Sequence, residues 1–152
     1  MDNENWLKYG VIVLGAVGFL AIIALALSAG GGEIEGRSWV VQEMTVDGTK
    51  IQPIDSAMPV ANFVEGTVSG VAGCNSYSGS YTIDGDAITI GPLAATLMFC
   101  EQPEGAMEQE ALYLHLLQEA DAYRVSDDTL TLLQGETVLI EFTVLEAQQL
   151  DD

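Results

Sequence analysis

The sequence predicts a mainly β (α+β) domain: an antiparallel, barrel-like curved sheet with one packed helix, preceded by one N-terminal transmembrane helix. Three observations carry this. Short runs of β-forming residues alternate with two-residue turn signals. One segment repeats apolar side chains at helical spacing. Near the N-terminus, Tyr9 to Ala29 forms a run of 21 residues without a charge.

At about 1.5 Å per residue that run spans a hydrocarbon core of roughly 30 Å. A domain this small has no interior able to bury so long an all-round apolar helix. The run therefore reads as a signal anchor, with a cleaved signal peptide as the alternative. Ala26 and Ser28 would suit a cleavage site, but the run exceeds the usual h-region of about 7–15 residues. Residues 1–8 are a short flank. Gly30, Gly31 and Gly32 lead into residues 33–36, and together residues 30–36 read as a glycine-rich tether. The folded domain is expected at 37–145, with an acidic tail at 146–152.

Within the domain, Trp39 to Val46 reads as a strand closed by Asp47-Gly48. Lys50 to Met58 is irregular, broken by Pro53 and Pro59. Val60–Val64 and Thr67–Val71 flank Glu65-Gly66, a hairpin signal. Tyr77, Gly79, Tyr81 and Ile83 alternate with Ser78, Ser80 and Thr82, a period of two with one hydroxylated face. Asp84-Gly85 then turns the chain into Ala87–Ile90. A helix is expected from Glu104 to Ala120. Pro103, Glu104 and Glu108 mark its start, and Met107, Ala111, Leu114 and Leu117, widened by Leu112 and Leu116, mark its buried stripe. Strands at Tyr123–Val125, Leu130–Leu133 and Val138–Leu145 follow, with turns at Ser126-Asp127-Asp128 and Gln134-Gly135. Many short strands and no βαβ pattern argue for a barrel and against a dinucleotide fold.

The net charge is −19, and it remains −18 (21 acids against 3 bases) once residues 1–8 are set aside. No basic patch can form, which excludes nucleic acid and anionic lipid surfaces as partners of the domain. Solubility or salt adaptation explains the acidity, with a cationic partner as the sharper alternative. Two cysteines, Cys74 and Cys100, stand 26 residues apart. An even count in an exported domain favours a disulfide, which in the chain-entropy model is worth about 3 kcal/mol. Two thiols and one distant histidine fall short of a tetrahedral metal set.

Gly70-Val71-Ala72-Gly73-Cys74-Asn75-Ser76-Tyr77-Ser78-Gly79-Ser80-Tyr81 resembles the central signature of the META/HslJ domain family. So does Gly91-Pro92-Leu93-Ala94-Ala95-Thr96-Leu97-Met98-Phe99-Cys100, followed by Met107-Glu108-Gln109-Glu110 opening the helix. Trp39 and the Leu130-Thr131-Leu132 hairpin also fit, so the resemblance covers roughly residues 37–144. It implies a small, envelope-associated, stress-linked domain, mainly β with a packed helix, and it implies no catalytic residues. The chain departs from the family pattern at Leu97, where relatives often carry a basic residue, and in having an apparent anchor without a lipidation cysteine.

No catalytic constellation accompanies these motifs. Gly70, Gly73 and Gly79 suit positive φ or close backbone approach, and Asn75 suits backbone groups at the bend. Pro92, Thr96 and Met98 belong to the crossing that returns Cys100 to Cys74. Tyr77 and Tyr81 read as core or rim aromatics, or as the lining of a shallow ligand pocket. His115 reads as a surface or packing residue; paired with a free cysteine it would make a thiol enzyme. Asp84-Gly85-Asp86 is only a fragment of a calcium loop. The expectation is a noncatalytic extracytoplasmic interaction protein, either a monomer or a weak oligomer. It would hold no cofactor and be held on the cell membrane by its N-terminal helix (or secreted if that segment is cleaved). An unidentified envelope protein would be its partner. The alternative is a small-molecule-binding barrel.

Overall fold

The structure, a computed structural model, describes residues 33–145. The apolar run at Tyr9–Ala29, the three glycines after it and the tail at 146–152 lie outside those residues. Among the described residues no helix is long and apolar enough to cross a membrane.

Ten strands form in chain order: β1 (Ser38–Val46), β2 (Thr49–Ile51), β3 (Val60–Val64), β4 (Thr67–Val71), β5 (Ser76–Asp84), β6 (Ala87–Ile90), β7 (Ala94–Ala95), β8 (Ala122–Ser126), β9 (Thr129–Gln134) and β10 (Thr137–Val144). One helix, α1 (Ala106–Glu119), lies between β7 and β8. Eight strands close a ring in the order β1-β3-β4-β5-β6-β8-β9-β10, and β10 pairs back onto β1. All the pairings are antiparallel. β2 hangs on β1, and β7 hangs on β5.

Closure depends on β1. Its one edge runs along β10, from Trp39 opposite Val144 to Met44 opposite Ile140. Its other edge is shared, with β3 on Ser38–Val40 and β2 on Met44–Val46. A bulge between Val41 and Glu43 shifts the inward phase, so Trp39 and Val41 point inward before it and Met44 after it. An extra residue bends a strand and sharpens its twist, which a small barrel requires. β10 carries a second bulge between Val138 and Ile140.

The turn residues explain the hairpins. Asp47-Gly48 and Glu65-Gly66 hold positive φ at both positions, which gives the primed turn that matches strand twist. At two hairpins the turn sits one residue later than the sequence suggests. Asp84 pairs with Ala87 and Gln134 with Thr137, leaving Gly85-Asp86 and Gly135-Glu136 as the turns. A glycine with positive φ then leads each turn, the preference of the type II′ geometry.

Inward side chains fill the barrel. Trp39, Phe63, Leu130, Leu132, Ile140 and Phe142 are fully buried. Phe63 meets Tyr81 edge to face at 5.1 Å between centroids. Helix α1 adds Tyr113, whose ring lies 5.6 Å from Tyr77 and 6.4 Å from Phe142. The chain's entry is packed too. Glu33 to Gly36, assigned by sequence to the tether, form turns, and Ile34 is fully buried with its carbonyl accepting from Trp39 Nε1 at 2.8 Å. A buried Ile contributes roughly 2 kcal/mol, so this segment belongs to the domain.

Candidate functional site

Two segments meet at one corner of the barrel: residues 72–75 between β4 and β5, and residues 96–100 between β7 and α1. Small residues make the meeting possible. A Cβ on Gly70 would lie 1.9 Å from the Val60 carbonyl oxygen, where no side chain fits. Gly73 sits at φ +124°, a conformation L residues rarely adopt. Gly79 passes beneath Pro92 and Leu93, the exposed and half-buried start of the crossing segment.

A Cys74–Cys100 disulfide clamps the two segments, with the Cα atoms 6.0 Å apart, inside the range a disulfide can bridge. Asn75, buried beside it, uses its whole side-chain hydrogen-bonding capacity. Its Oδ1 accepts from Met98 N at 2.7 Å and from Thr96 Oγ1 at 2.8 Å. Its Nδ2 donates to the Met98 carbonyl at 3.0 Å and to Glu110 Oε1 at 2.7 Å. The Met98 amide can only donate and its carbonyl can only accept, so the orientation of the Asn75 amide is determined. Thr96 adds a backbone bond from its N–H to the Ser76 carbonyl, and its Oγ1 accepts from Ser76 N.

The helix supplies the other half. Buried Glu110 accepts from Asn75 N (2.6 Å) and Cys74 N (3.1 Å) through Oε2. Its neighbour Gln109 accepts from Ile54 N at 2.6 Å and donates to the Ala57 carbonyl at 2.7 Å. These two polar residues fix the helix register. The buried face of α1 is Ala106, Gln109, Glu110, Tyr113, Leu116 and Leu117. Of the stripe expected from sequence, Leu116 and Leu117 are buried, Met107, Leu112 and Leu114 are half-buried, and Ala111 is exposed, because Gln109 and Glu110 take the positions that face the loops. The helix also begins at Ala106 rather than Glu104, after a left-handed Gly105. Gln109 and Glu110 were missed as site residues. Their one signal was membership of the Met107-Glu108-Gln109-Glu110 motif, since helical periodicity assigns polar residues beside an apolar stripe to the solvated face.

The consequence is an exposed apolar loop. Leu97, Met98 and Phe99 are 98%, 58% and 77% exposed while their backbone is held by the disulfide, Asn75 and Thr96. Together with the outward face of α1 they line a groove of about 440 Å³. Glu110 is the ionisable side chain lining it.

The remaining candidates lie elsewhere. Tyr77 and Tyr81 both point into the barrel. The Tyr77 hydroxyl donates to the Val60 carbonyl at 3.1 Å and lies 2.7 Å from the Tyr113 hydroxyl. Burial pushes both of those phenols well up; it also pushes Tyr81 up to about 12, helped by the Glu35 carboxylate its hydroxyl binds. His115 is exposed in a separate groove beside Thr45, Val46 and Glu119. The disulfide takes up both thiols on which a thiol enzyme would depend. Among the described residues no group of three or more His, Cys, Asp or Glu is placed to hold a metal.

Fold and site together define a small, closed, helix-plugged β-barrel that holds one apolar loop in the open. The META domain family model matches residues 32–147, and the chain belongs to that family. A protein from Burkholderia xenovorans, solved by NMR, is similar at a TM-score of 0.63 and 25% identity, over 74% of this chain and 83% of that one. A second NMR structure is similar at 0.54 and 24% identity, over 73% of this chain and 91% of its own. In both, the shared barrel makes up most of a chain that folds in solution. No curated protein matches. The described residues here close their own ring and fill their own core, so the domain has the means to fold by itself.

Proposed function

We propose that the chain is a membrane-anchored, extracytoplasmic, noncatalytic interaction module of the cell envelope, in a stress-linked setting, and that it docks partners through the Leu97–Phe99 loop. The observation that carries this is the loop itself. Large apolar side chains in the open mark interaction sites when they cluster, and a loop already rigid loses little entropy on binding. The Tyr9–Ala29 run supports the anchor. The disulfide supports an oxidising compartment. The filled barrel interior favours a surface role over a ligand held inside.

The test uses cells making the full chain with a photo-crosslinking residue at position 97, at 99, or at the distant control position 50. Alkaline extraction should leave the chain in membranes, and protease added outside should remove the domain. Crosslinked products should form from positions 97 and 99 and not from 50. The same products from all three positions, or a chain released by alkali, would overturn the reading.

A further inference from the structure

We propose that the groove between the Leu97–Phe99 loop and the outer face of α1 takes a cationic amphipathic peptide segment of a partner protein. This rests on the docking role just given and names its occupant. The lining sets the apolar half of the match. Leu97, Met98 and Phe99 form one wall, and Met107, Ala111 and Leu114 form the other. The last three recur at helical spacing, so the groove runs along a helix and suits a partner's apolar stripe.

Charge sets the other half. Between Lys50 and Arg124 the chain carries no Lys or Arg, a gap of 73 residues that includes every residue of the groove. Exposed Glu101 and Glu104 adjoin it in the chain, while Glu110 lines it with its carboxylate buried and bonded to Asn75. An apolar segment with basic flanks satisfies both walls and rim, while an acidic one meets repulsion. A second copy of this chain is disfavoured by its own charge of −19. A lipid surface is disfavoured by position. The N-terminal segment enters beside Tyr81, which binds Glu35, whereas the loop is fastened beside Ser76. Those positions are separated by five residues of β5, about 17 Å. The groove therefore lies away from the end to which the apolar run connects. β7 adds a polar contact: it pairs only with β5, and with Thr96 bonded inward to Ser76 the N–H and C=O of Ala95 face outward.

The experiment titrates isotope-labelled residues 33–152 with a Leu/Lys amphipathic peptide of about 14 residues, and with matched peptides carrying Glu or Gln in place of Lys. Phosphatidylcholine vesicles form the fourth arm. The Lys peptide should shift amides of residues 95–99 and 107–114, and the Glu peptide should bind about tenfold more weakly or worse. Leu97→Ser with Phe99→Ser should cost about tenfold or more in affinity while amide dispersion is unchanged, since both side chains are solvent-facing. Glu101→Gln with Glu104→Gln should weaken binding and flatten its salt dependence. Shifts confined to other surfaces, or a double serine variant that binds as well as the parent, would overturn the site. Equal binding of all three peptides at the loop would overturn the cationic requirement and leave the docking role intact. Vesicles that shift the loop when no peptide does would overturn both in favour of lipid.

Discussion

Asn75 and Glu110 should behave as one energetic unit, and a double-mutant cycle can show it. In Glu110→Gln one carboxylate oxygen becomes an NH₂ facing a donor. If Oε1 is replaced, the Asn75 Nδ2 bond is lost and donor opposes donor; if Oε2 is replaced, two backbone N–H groups are orphaned. Hydrogen bonds to a buried charge are worth about 1.5–3 kcal/mol each, so the cost should be about 3 kcal/mol. Asn75→Asp turns Nδ2 into an acceptor aimed at Glu110 Oε1 and the Met98 carbonyl, a further loss of about 3 kcal/mol. The pair Asn75→Asp with Glu110→Gln restores a donor to an acceptor between the two side chains. The Gln amide then donates to the Asp, and its carbonyl keeps the two backbone N–H groups. Only the Met98 contact stays mismatched, in a half-open setting. The double variant should therefore recover about 2 kcal/mol relative to the sum of the singles. Urea unfolding of the oxidised domain reads this directly: each single should lower the midpoint by about 2 M at a slope near 1.5 kcal/mol/M. Additive losses would refute the claim that these residues hold the corner as a single network.

Three other expectations follow from the same structure. Reducing and capping Cys74 and Cys100 should lower stability by about 3 kcal/mol, measured by urea unfolding, and should broaden amide signals of residues 96–100 before those of the barrel. Gly70→Ala should cost about 3 kcal/mol or more, because β3 backbone occupies the space, whereas Gly36→Ala, which has open space but sits at φ +75°, should cost only the backbone strain of about 1 kcal/mol; thermal melts decide. The buried tyrosines should titrate late. Their folded pKa values are raised, so the folded state keeps protons that the unfolded state gives up near pH 10. Stability is then full below about pH 10 and lost as pH rises through the folded values. Tyrosinate absorbance appearing near pH 10 with circular dichroism intact would contradict this.

The sequence was most informative where local chemistry decides. Asp47-Gly48 and Glu65-Gly66 are turns because glycine meets positive φ there, and the Tyr77–Ile83 alternation fixes which face of β5 is inside. It was less informative where partners are distant. Pairing of β1 with β10 joins residues about a hundred positions apart, and no periodicity encodes it. The helix register failed in part for a related reason. Hydrophobicity alone puts Met107, Ala111 and Leu114 fully inside, yet the backbone amides of Cys74 and Asn75 need a carboxylate, and Glu110 takes the buried position, leaving Met107 and Leu114 half-buried and Ala111 exposed. β7 was missed because two exposed alanines carry no strand signal. The disulfide could be expected from the cysteine count; that it would pin an outward apolar loop could not.

The meeting of β1 and β10 also governs how the molecule can come into being. The first strand has no full-length partner until the last has been synthesised, and the Leu145 amide closes onto the Ser38 carbonyl at 2.7 Å. A chain emerging N-terminus first therefore keeps Trp39, Val41 and Met44 without their β10 neighbours until nearly the whole domain is available. Released fragments ending before Thr137 should remain protease-sensitive throughout, and those ending past Leu145 should become resistant in a single step.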